Sequence, residues 1–78
     1  MASVGEMAKK ARESRGLAQT VVGTAMGLTQ GQYSKLEAGK VPTPDQTWNL
    51  CALLGLPWGE TFRARARDLG LQVEEVSA

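Results

Sequence analysis

The chain has 78 residues, a net charge of +1 and 42% hydrophobic residues, which suits one small globular domain. It contains no histidine and a single cysteine, Cys51, which lies among leucines. The composition therefore excludes an intrachain disulfide and predicts no metal site, no cofactor and no enzymatic activity. No apolar run approaches the roughly 20 residues of a membrane span, and the N-terminus lacks the pattern of a signal peptide, so we expect a cytoplasmic protein.

The first predicted helix covers about residues 3–15. Ser3 followed by Glu6 forms a capping-box pattern at its start. Apolar residues with helical spacing predict the face that packs inward. They are Val4, Met7, Ala8 and Ala11. Arg12 flanks this apolar face.

Residues 16–39 carry the most informative pattern, two short helices separated by a tight turn. Glycine can adopt positive φ without steric cost, so a glycine after a helical run predicts a helix end. The three such glycines are Gly16, Gly27 and Gly39. Thr29 followed by Gln32 predicts a capped start for the second helix, over residues 30–38. The first helix, over residues 19–26, would turn Val22, Ala25 and Met26 inward. This spacing is typical of a helix-turn-helix.

The second helix of this pair has two different sides. A step of about 100° per residue turns Tyr33, Leu36 and Glu37 inward. The outward side is small, amide-rich and singly basic. It comprises Gly31, Lys35 and Ala38, with Gln32 and Ser34 at its flanks. Such a surface fits the major groove of DNA, where amides pair with adenine and lysine reaches the acceptors of guanine. Taken alone, polar residues of this kind more often form a solvated helix face.

Three segments of this region resemble the Cro and lambda-repressor type of helix-turn-helix, the XRE-like family. They are G-L-x-Q at 16–19, M-G-L-T at 26–29 and Y-S-K-L-E-x-G at 33–39. The resemblance covers roughly residues 3–62 and implies an all-α, compact five-helix fold. It also implies that Gln19 contacts a DNA phosphate and that the second helix is the recognition helix. Gly31 stands where relatives often carry a base-reading side chain, so readout would fall to Gln30 and Lys35, with Gln32 assisting.

Glu37 turns toward the inner side of its helix, where a carboxylate is costly unless a cation meets it. Arg12 is the candidate cation, and we infer an ion pair between the two. The resemblance supports this pair, because relatives commonly pair these positions. Independent solvation of both charges is the alternative.

The fourth helix has a clear start, because Thr43 can cap it, Pro44 suits its first position and Gln46 completes a capping box. Lys40, Thr43 and this helix terminus form a candidate phosphate clamp, with a well-formed loop as the alternative. Five residues supply the apolar bulk of this helix, and of these Trp48 is expected to serve packing and not function. They are Trp48, Leu50, Cys51, Leu53 and Leu54. The candidate DNA-binding residues are thus Gln19, Thr29, Gln30, Gly31, Gln32, Ser34, Lys35, Lys40 and Thr43.

A fifth helix is predicted over residues 57–69. Its three arginines, Arg63, Arg65 and Arg67, alternate with alanines and point around different sides of the helix. This pattern favours a solvated helix over a second nucleic-acid contact.

The charge is unevenly divided along the chain. Residues 1–40 hold six basic and three acidic residues, a balance of +3, and residues 41–78 hold three basic and five acidic, a balance of −2. The first half therefore suits contact with DNA phosphates. Because its surplus of positive charge is small, we predict that DNA binding depends on a homodimer. The candidate interface residues are Leu56, Trp58, Phe62, Leu69 and Leu71.

Residues 1–70 form the predicted domain, and residues 71–78 form a tail that pairs with a symmetry mate or is disordered.

The sequence therefore predicts a DNA-binding transcription regulator, specifically a repressor that binds double-stranded DNA at a palindromic operator as a homodimer. An antitoxin or adaptor module, with protein–protein interaction as its main role, is the alternative.

Overall fold

The computed structural model describes residues 2–72, and within them the chain forms five helices and no strand. The helices are α1 (Val4–Ser14), α2 (Gln19–Ala25), α3 (Gln30–Glu37), α4 (Pro44–Leu54) and α5 (Trp58–Asp68). The predicted all-α, five-helix architecture is confirmed. The predicted tail is described only at Leu71 and Gln72, and the remainder of it, residues 73–78, lies outside the described residues.

The helix starts follow from local side-chain chemistry. Thr29 Oγ1 accepts a hydrogen bond from the Gln32 amide at 3.2 Å, and the Thr29 amide donates to Gln32 Oε1 at 2.9 Å. Thr43 and Gln46 close the same reciprocal box at the start of α4, at 3.1 and 3.0 Å. These bonds satisfy amides that a helix start would otherwise leave unpaired. The predicted boxes of α3 and α4 are confirmed. At the start of α1, Ser3 Oγ accepts from the Glu6 amide at 3.1 Å, but the Glu6 carboxylate accepts from the Ser3 hydroxyl and not from its amide, so the box predicted there forms only in part.

α1 lies at the centre of the fold. It packs against α3, α4 and α5, while α2 packs on α3, and α4 packs on α5. The buried apolar core is formed by Val4, Ala8, Val22, Tyr33, Leu36, Leu50, Cys51, Leu54, Leu56 and Ala64. Met7, Ala11 and Met26 are partly buried against this core. α1 thus joins the α2–α3 pair to the α4–α5 pair.

The apolar residues of α4 divide between the core and the surface. Thr47, Leu50, Cys51 and Leu54 are buried, with the spacing of one helix face. Trp48 and Leu53 lie beside that face and are 59% and 42% exposed. The Trp48 ring instead lies against Trp58, with ring centroids 4.1 Å apart.

The inward face of α2 also differs. Ala25 is exposed, and the predicted inward position for it is wrong. Gly23 lies against α3 in its place, where an added Cβ would come within 3.2 Å of the Tyr33 Cβ. α2 and α3 therefore approach closely through a residue without a side chain.

α5 is tied to the rest of the fold by polar contacts. Arg65 Nε donates to the Pro42 carbonyl at 2.8 Å, and Asp68 Oδ2 accepts from the Val4 amide at 3.1 Å. The first contact holds the loop that follows α3, and the second satisfies an amide at the start of α1. Arg63 is exposed, as expected of a solvated helix, whereas Arg65 has a structural role that the predicted solvated face did not include.

The closest helix contact joins α1 to α3 at Gly5. An added Cβ on Gly5 would overlap the Leu36 carbonyl oxygen and would come within 3.0 Å of the Glu37 carbonyl oxygen. Because both neighbours are backbone atoms, a side chain at residue 5 requires the two helices to separate. The sequence analysis did not identify Gly5, although a glycine inside a helical pattern is a signal of close packing.

The same two helices are joined by the ion pair between Arg12 and Glu37. Arg12 Nε lies 2.7 Å from Glu37 Oε2, and Arg12 Nη2 donates to Glu37 Oε1 at 3.1 Å. Their side chains are only 11% and 4% exposed. A third donor of the guanidinium, Nη1, lies 2.7 Å from the Leu17 carbonyl oxygen. The structure thus contains the pair inferred from the sequence, in the bidentate geometry that favours arginine.

The Glu37 carboxylate is stabilised in its charged form. Burial raises the pKa of Glu37, but the hydrogen bonds from Arg12 and Gln19 and the charge of Arg12 outweigh this effect, so the pKa lies below its ordinary value. Tyr33 packs nearby. Burial raises the pKa of its phenol, and the negative charge of Glu37 raises this pKa further. The phenol therefore stays neutral, and Glu37 is the group of this cluster that titrates in acid.

Loss of Arg12 would leave Glu37 buried without its cation. We expect Arg12→Ala to lower the free energy of unfolding by about 3–5 kcal/mol. Urea denaturation of Arg12→Ala, Glu37→Ala and the double variant measures this loss and the coupling between the sites. Arg63→Ala is the control, because Arg63 is exposed and forms no ion pair within residues 2–72, and it should cost at most about 0.5 kcal/mol. Additive losses in the double variant would contradict the pair.

The lowered pKa of Glu37 predicts that acid destabilises the protein. Because the folded-state pKa lies below the unfolded value of about 4.3, the contribution of the pair is complete above that value. It is lost as the pH falls through the lower folded-state pKa. We therefore expect the free energy of unfolding to decrease below about pH 5, and Glu37→Gln to make this decrease shallower. Denaturation curves of both proteins from neutral pH into acid test this, and parallel pH profiles would refute it.

Candidate nucleic-acid interface

α2 and α3 are joined by a tight turn over residues 26–29. Gly27 has φ +73°, and the Leu28 amide donates to the Gly23 carbonyl at 2.8 Å, which returns the chain toward α2. An L side chain at Gly27 would be strained in this conformation. The turn places α3 across α2 in the helix-turn-helix arrangement that the sequence predicted.

α3 presents one buried and one open side. Tyr33, Leu36 and Glu37 are buried, as predicted. Four of the candidate DNA-binding residues on this helix are exposed: Gln30, Gly31, Gln32 and Lys35. An added Cβ on Gly31 would meet no atom within 4 Å, so the space in front of this residue is open. Ser34 is half-buried at the edge of the open side.

The candidate DNA-binding residues form two groups. The side chains of one group already form hydrogen bonds within the fold, and those of the other do not. Thr29 and Gln32 are bonded to each other in the capping box of α3. Gln19 Nε2 lies 3.0 Å from Glu37 Oε1, so this side chain supports the buried ion pair. Gln30, Lys35 and Lys40, in contrast, form no side-chain hydrogen bond or ion pair with any described residue. These three side chains remain available to a ligand.

The predicted clamp at the start of α4 is weaker than the sequence suggested. Pro44 has no amide hydrogen, and the Gln46 amide is bonded to Thr43. Of the amides at the first three positions of α4, this leaves that of Asp45 for an anion, and the acidic side chain of Asp45 lies beside it. Lys40 is exposed, and its backbone amide donates to the Lys35 carbonyl at 2.9 Å. Of the predicted clamp, the Lys40 side chain is therefore the cationic group that the described fold leaves unpaired.

A cleft of about 210 Å³ opens between α1 and the helix-turn-helix. Its lining residues are Lys9, Gln19, Ser34, Glu37 and Ala38. The sequence analysis did not single out Lys9. The available signal was its position three residues before Arg12, on the same side of α1.

Of the five candidate dimer residues, one is misassigned. Leu56 is only 7% exposed and belongs to the core, because it fills the space between α4 and α5. Trp58, Leu69 and Leu71 are 42%, 50% and 59% exposed, and Phe62 is half-buried. The exposed Trp48 adds to the apolar surface beside Trp58.

Two other kinds of site are absent from the described part of the chain. Residues 2–72 contain no group of three or more histidine, cysteine, aspartate or glutamate side chains placed to hold a metal ion. None of the helices over the same range is long and apolar enough to cross a membrane.

Comparison with known families agrees with this geometry. A family model described as helix-turn-helix matches residues 9–60, which are 52 of the 78 residues. The match includes both helices of the motif and the Arg12–Glu37 pair. Neither a curated protein nor a solved structure matches the chain. The chain belongs to the Cro and lambda-repressor type of helix-turn-helix family, whose domains are DNA-binding transcription regulators.

Proposed function

We propose that the protein is a sequence-specific repressor that binds a palindromic operator as a homodimer. The observation that carries this proposal is the open side of α3, where Gln30 and Lys35 are exposed and have no partner in the described chain. Polar side chains left without partners on a rigid helix are suited to a ligand that supplies the partners. A major groove supplies base edges with the required acceptors and donors.

The two side chains would read different bases. Gln30 is the first residue of α3, and the first residues of a recognition helix contact base edges. Its amide can pair bidentately with adenine, and Lys35 can donate to N7 and O6 of guanine. Gly31 allows the backbone of α3 to approach the groove closely, since no side chain stands between them.

Lys40 would act on the backbone of the duplex rather than on bases. It follows α3 and precedes the loop to α4, so it lies beyond the end of the recognition helix. A lysine at a phosphate adds affinity for every sequence and fixes the position of α3. Occupancy of an operator then blocks polymerase, and we expect the protein to act in the cytoplasm.

Base reading and phosphate contact have different consequences for specificity. We expect Gln30→Ala and Lys35→Ala each to lose about 1–3 kcal/mol of discrimination at particular base pairs. Lys40→Ala should weaken binding to all sequences alike. Selection from a random duplex pool identifies the operator, and competition with single-base variants measures discrimination. Equal loss of affinity for operator and random duplex in Lys35→Ala would refute its base-reading role, and a selected motif without two-fold symmetry would refute the palindrome.

The homodimer proposal rests on an apolar stripe along α5. Trp58, Phe62 and Leu69 are spaced by four and seven residues, which places them on one side of the helix. Trp48 extends this stripe onto α4 through its ring contact with Trp58. Joining two domains doubles the small positive balance of residues 1–40, and places two recognition helices about one turn of DNA apart. In this proposal, residues 1–70 form the domain, and the exposed Leu71 adjoins the dimer surface.

We expect sedimentation equilibrium of the full chain at micromolar concentration to show a dimer. Trp58→Glu should raise the dimer dissociation constant at least about tenfold, because it places a charge in the apolar contact. Val21→Glu is the matched control, because Val21 is also an exposed apolar residue but lies on α2, away from the stripe, with 53% exposure against 42% for Trp58. A monomeric parent, or a dimer that both variants weaken equally, would contradict this interface.

A further inference from the structure

The loop between α3 and α4, residues 38–43, is held near both ends and in its middle. The Lys40 amide donates to a carbonyl in the last turn of α3 at 2.9 Å, and Thr43 closes the capping box of α4. Between these points Pro42 is fully buried, and its carbonyl accepts a hydrogen bond from Arg65 Nε at 2.8 Å. This last contact ties the loop to α5.

The direction of Lys40 depends on where the middle of this loop is held. Gly39 precedes Lys40 with φ +124°, a conformation that other residues rarely adopt. Val41 follows Lys40 and stands before Pro42, and a residue before proline is restricted to extended backbone. Little freedom therefore remains between Lys40 and the Pro42 carbonyl, so a contact that fixes this carbonyl also restricts the position of Lys40.

Arg65 is suited to fix the loop because the described fold gives it no competing acidic partner. Its side chain is half-buried and forms no ion pair with any residue from 2 to 72, and it binds the Pro42 carbonyl. A hydrogen bond from a charged donor is roughly twice as strong as one between neutral groups. Arg63, two residues earlier on α5, is exposed and forms no such contact within the described range.

We propose that Arg65 is a positioning residue for DNA binding, because it holds the loop in the form in which the Lys40 ammonium group reaches the duplex. The inference rests on the proposed function, in which Lys40 contacts a phosphate, and it gives α5 a part in DNA binding. A lysine on a loop that is already ordered loses less conformational entropy on binding than one whose loop must first be ordered. Arg65 thus raises affinity through Lys40, without touching DNA itself.

Helical spacing also places Arg65 beside the apolar stripe of Trp58, Phe62 and Leu69. A contribution to dimer formation is therefore the competing interpretation. The two roles predict different results, because positioning of the loop makes the effect of Arg65 depend on the Lys40 side chain, whereas dimer formation does not.

The test is a double-variant cycle of Arg65→Met and Lys40→Ala, in which binding of a fluorescently labelled random-sequence duplex is measured against salt. Methionine keeps an apolar stem and removes the donor. Loss of one phosphate contact in Lys40→Ala should make the slope of log affinity against log salt shallower by about 0.9 for each bound protomer. Arg65→Met should make the slope shallower as well, and should cost at least about fourfold in affinity at about 50 mM salt. In the Lys40→Ala background, the same substitution should cost less than about twofold.

Arg63→Met is the matched control, because it removes the same charge from an exposed position on α5. Its effect should be small and should be equal in both backgrounds. Arg65→Lys keeps the charge but not the planar guanidinium group, so it repeats the cycle if Arg65→Met does not fold, and its loss should also depend on Lys40. Sedimentation equilibrium of each variant measures the association of protomers.

A loss of affinity in the Arg65 variants that depends on Lys40, without a change in association, supports the inference. Equal losses with and without the Lys40 side chain would overturn it. A loss explained by a weaker dimer, or one matched by Arg63→Met, would also overturn it. These results leave duplex binding by the parent, and with it the proposed function, intact. A parent chain that binds no duplex at any salt concentration would refute the proposed function and this inference together.

Discussion

The contact between α1 and α3 sets the position of the recognition helix. At Gly5 the backbone of α1 lies directly on the last carbonyl groups of α3, and seven residues later Arg12 binds the Glu37 side chain. Seven residues are about two helical turns, so both contacts lie on one face of α1. One is steric and the other electrostatic, and together they fix the distance and the rotation of α3. The outward direction of Gln30 and Lys35 depends on this junction.

The buried Arg12–Glu37 pair also connects the α1–α3 contact to the start of α2. Glu37 Oε1 accepts hydrogen bonds from both Arg12 and Gln19, and Gln19 is the first residue of α2. Arg12 additionally holds the Leu17 carbonyl in the loop before α2. One carboxylate thus orders the start of α2 relative to α1 and α3. A residue expected to touch DNA, Gln19, is positioned by the same group that stabilises the fold, so a substitution there would affect both.

Features encoded over a few residues could be predicted from the sequence, and features that depend on packing could not. The capping boxes of Thr29 and Thr43 need only residues three positions apart, and both form. The Arg12–Glu37 pair followed from the cost of burying a carboxylate. Leu56, however, is buried although an interface position was predicted for it, because only the packing of α5 on α4 decides which apolar side chain the core admits. The close approach at Gly5 is likewise visible only once α3 is in place.

Backbone contact between α1 and α3 at Gly5 is what positions the recognition helix, and substitutions at two glycines test this contact. Gly5 and Gly31 are each the second residue of a helix, but an added Cβ would overlap the Leu36 carbonyl at residue 5 and meet nothing within 4 Å at residue 31. Urea denaturation should show Gly5→Ala destabilised by about 1–3 kcal/mol or more, and Gly31→Ala stabilised by up to about 1 kcal/mol. A Gly5→Ala variant as stable as Gly31→Ala would contradict the account.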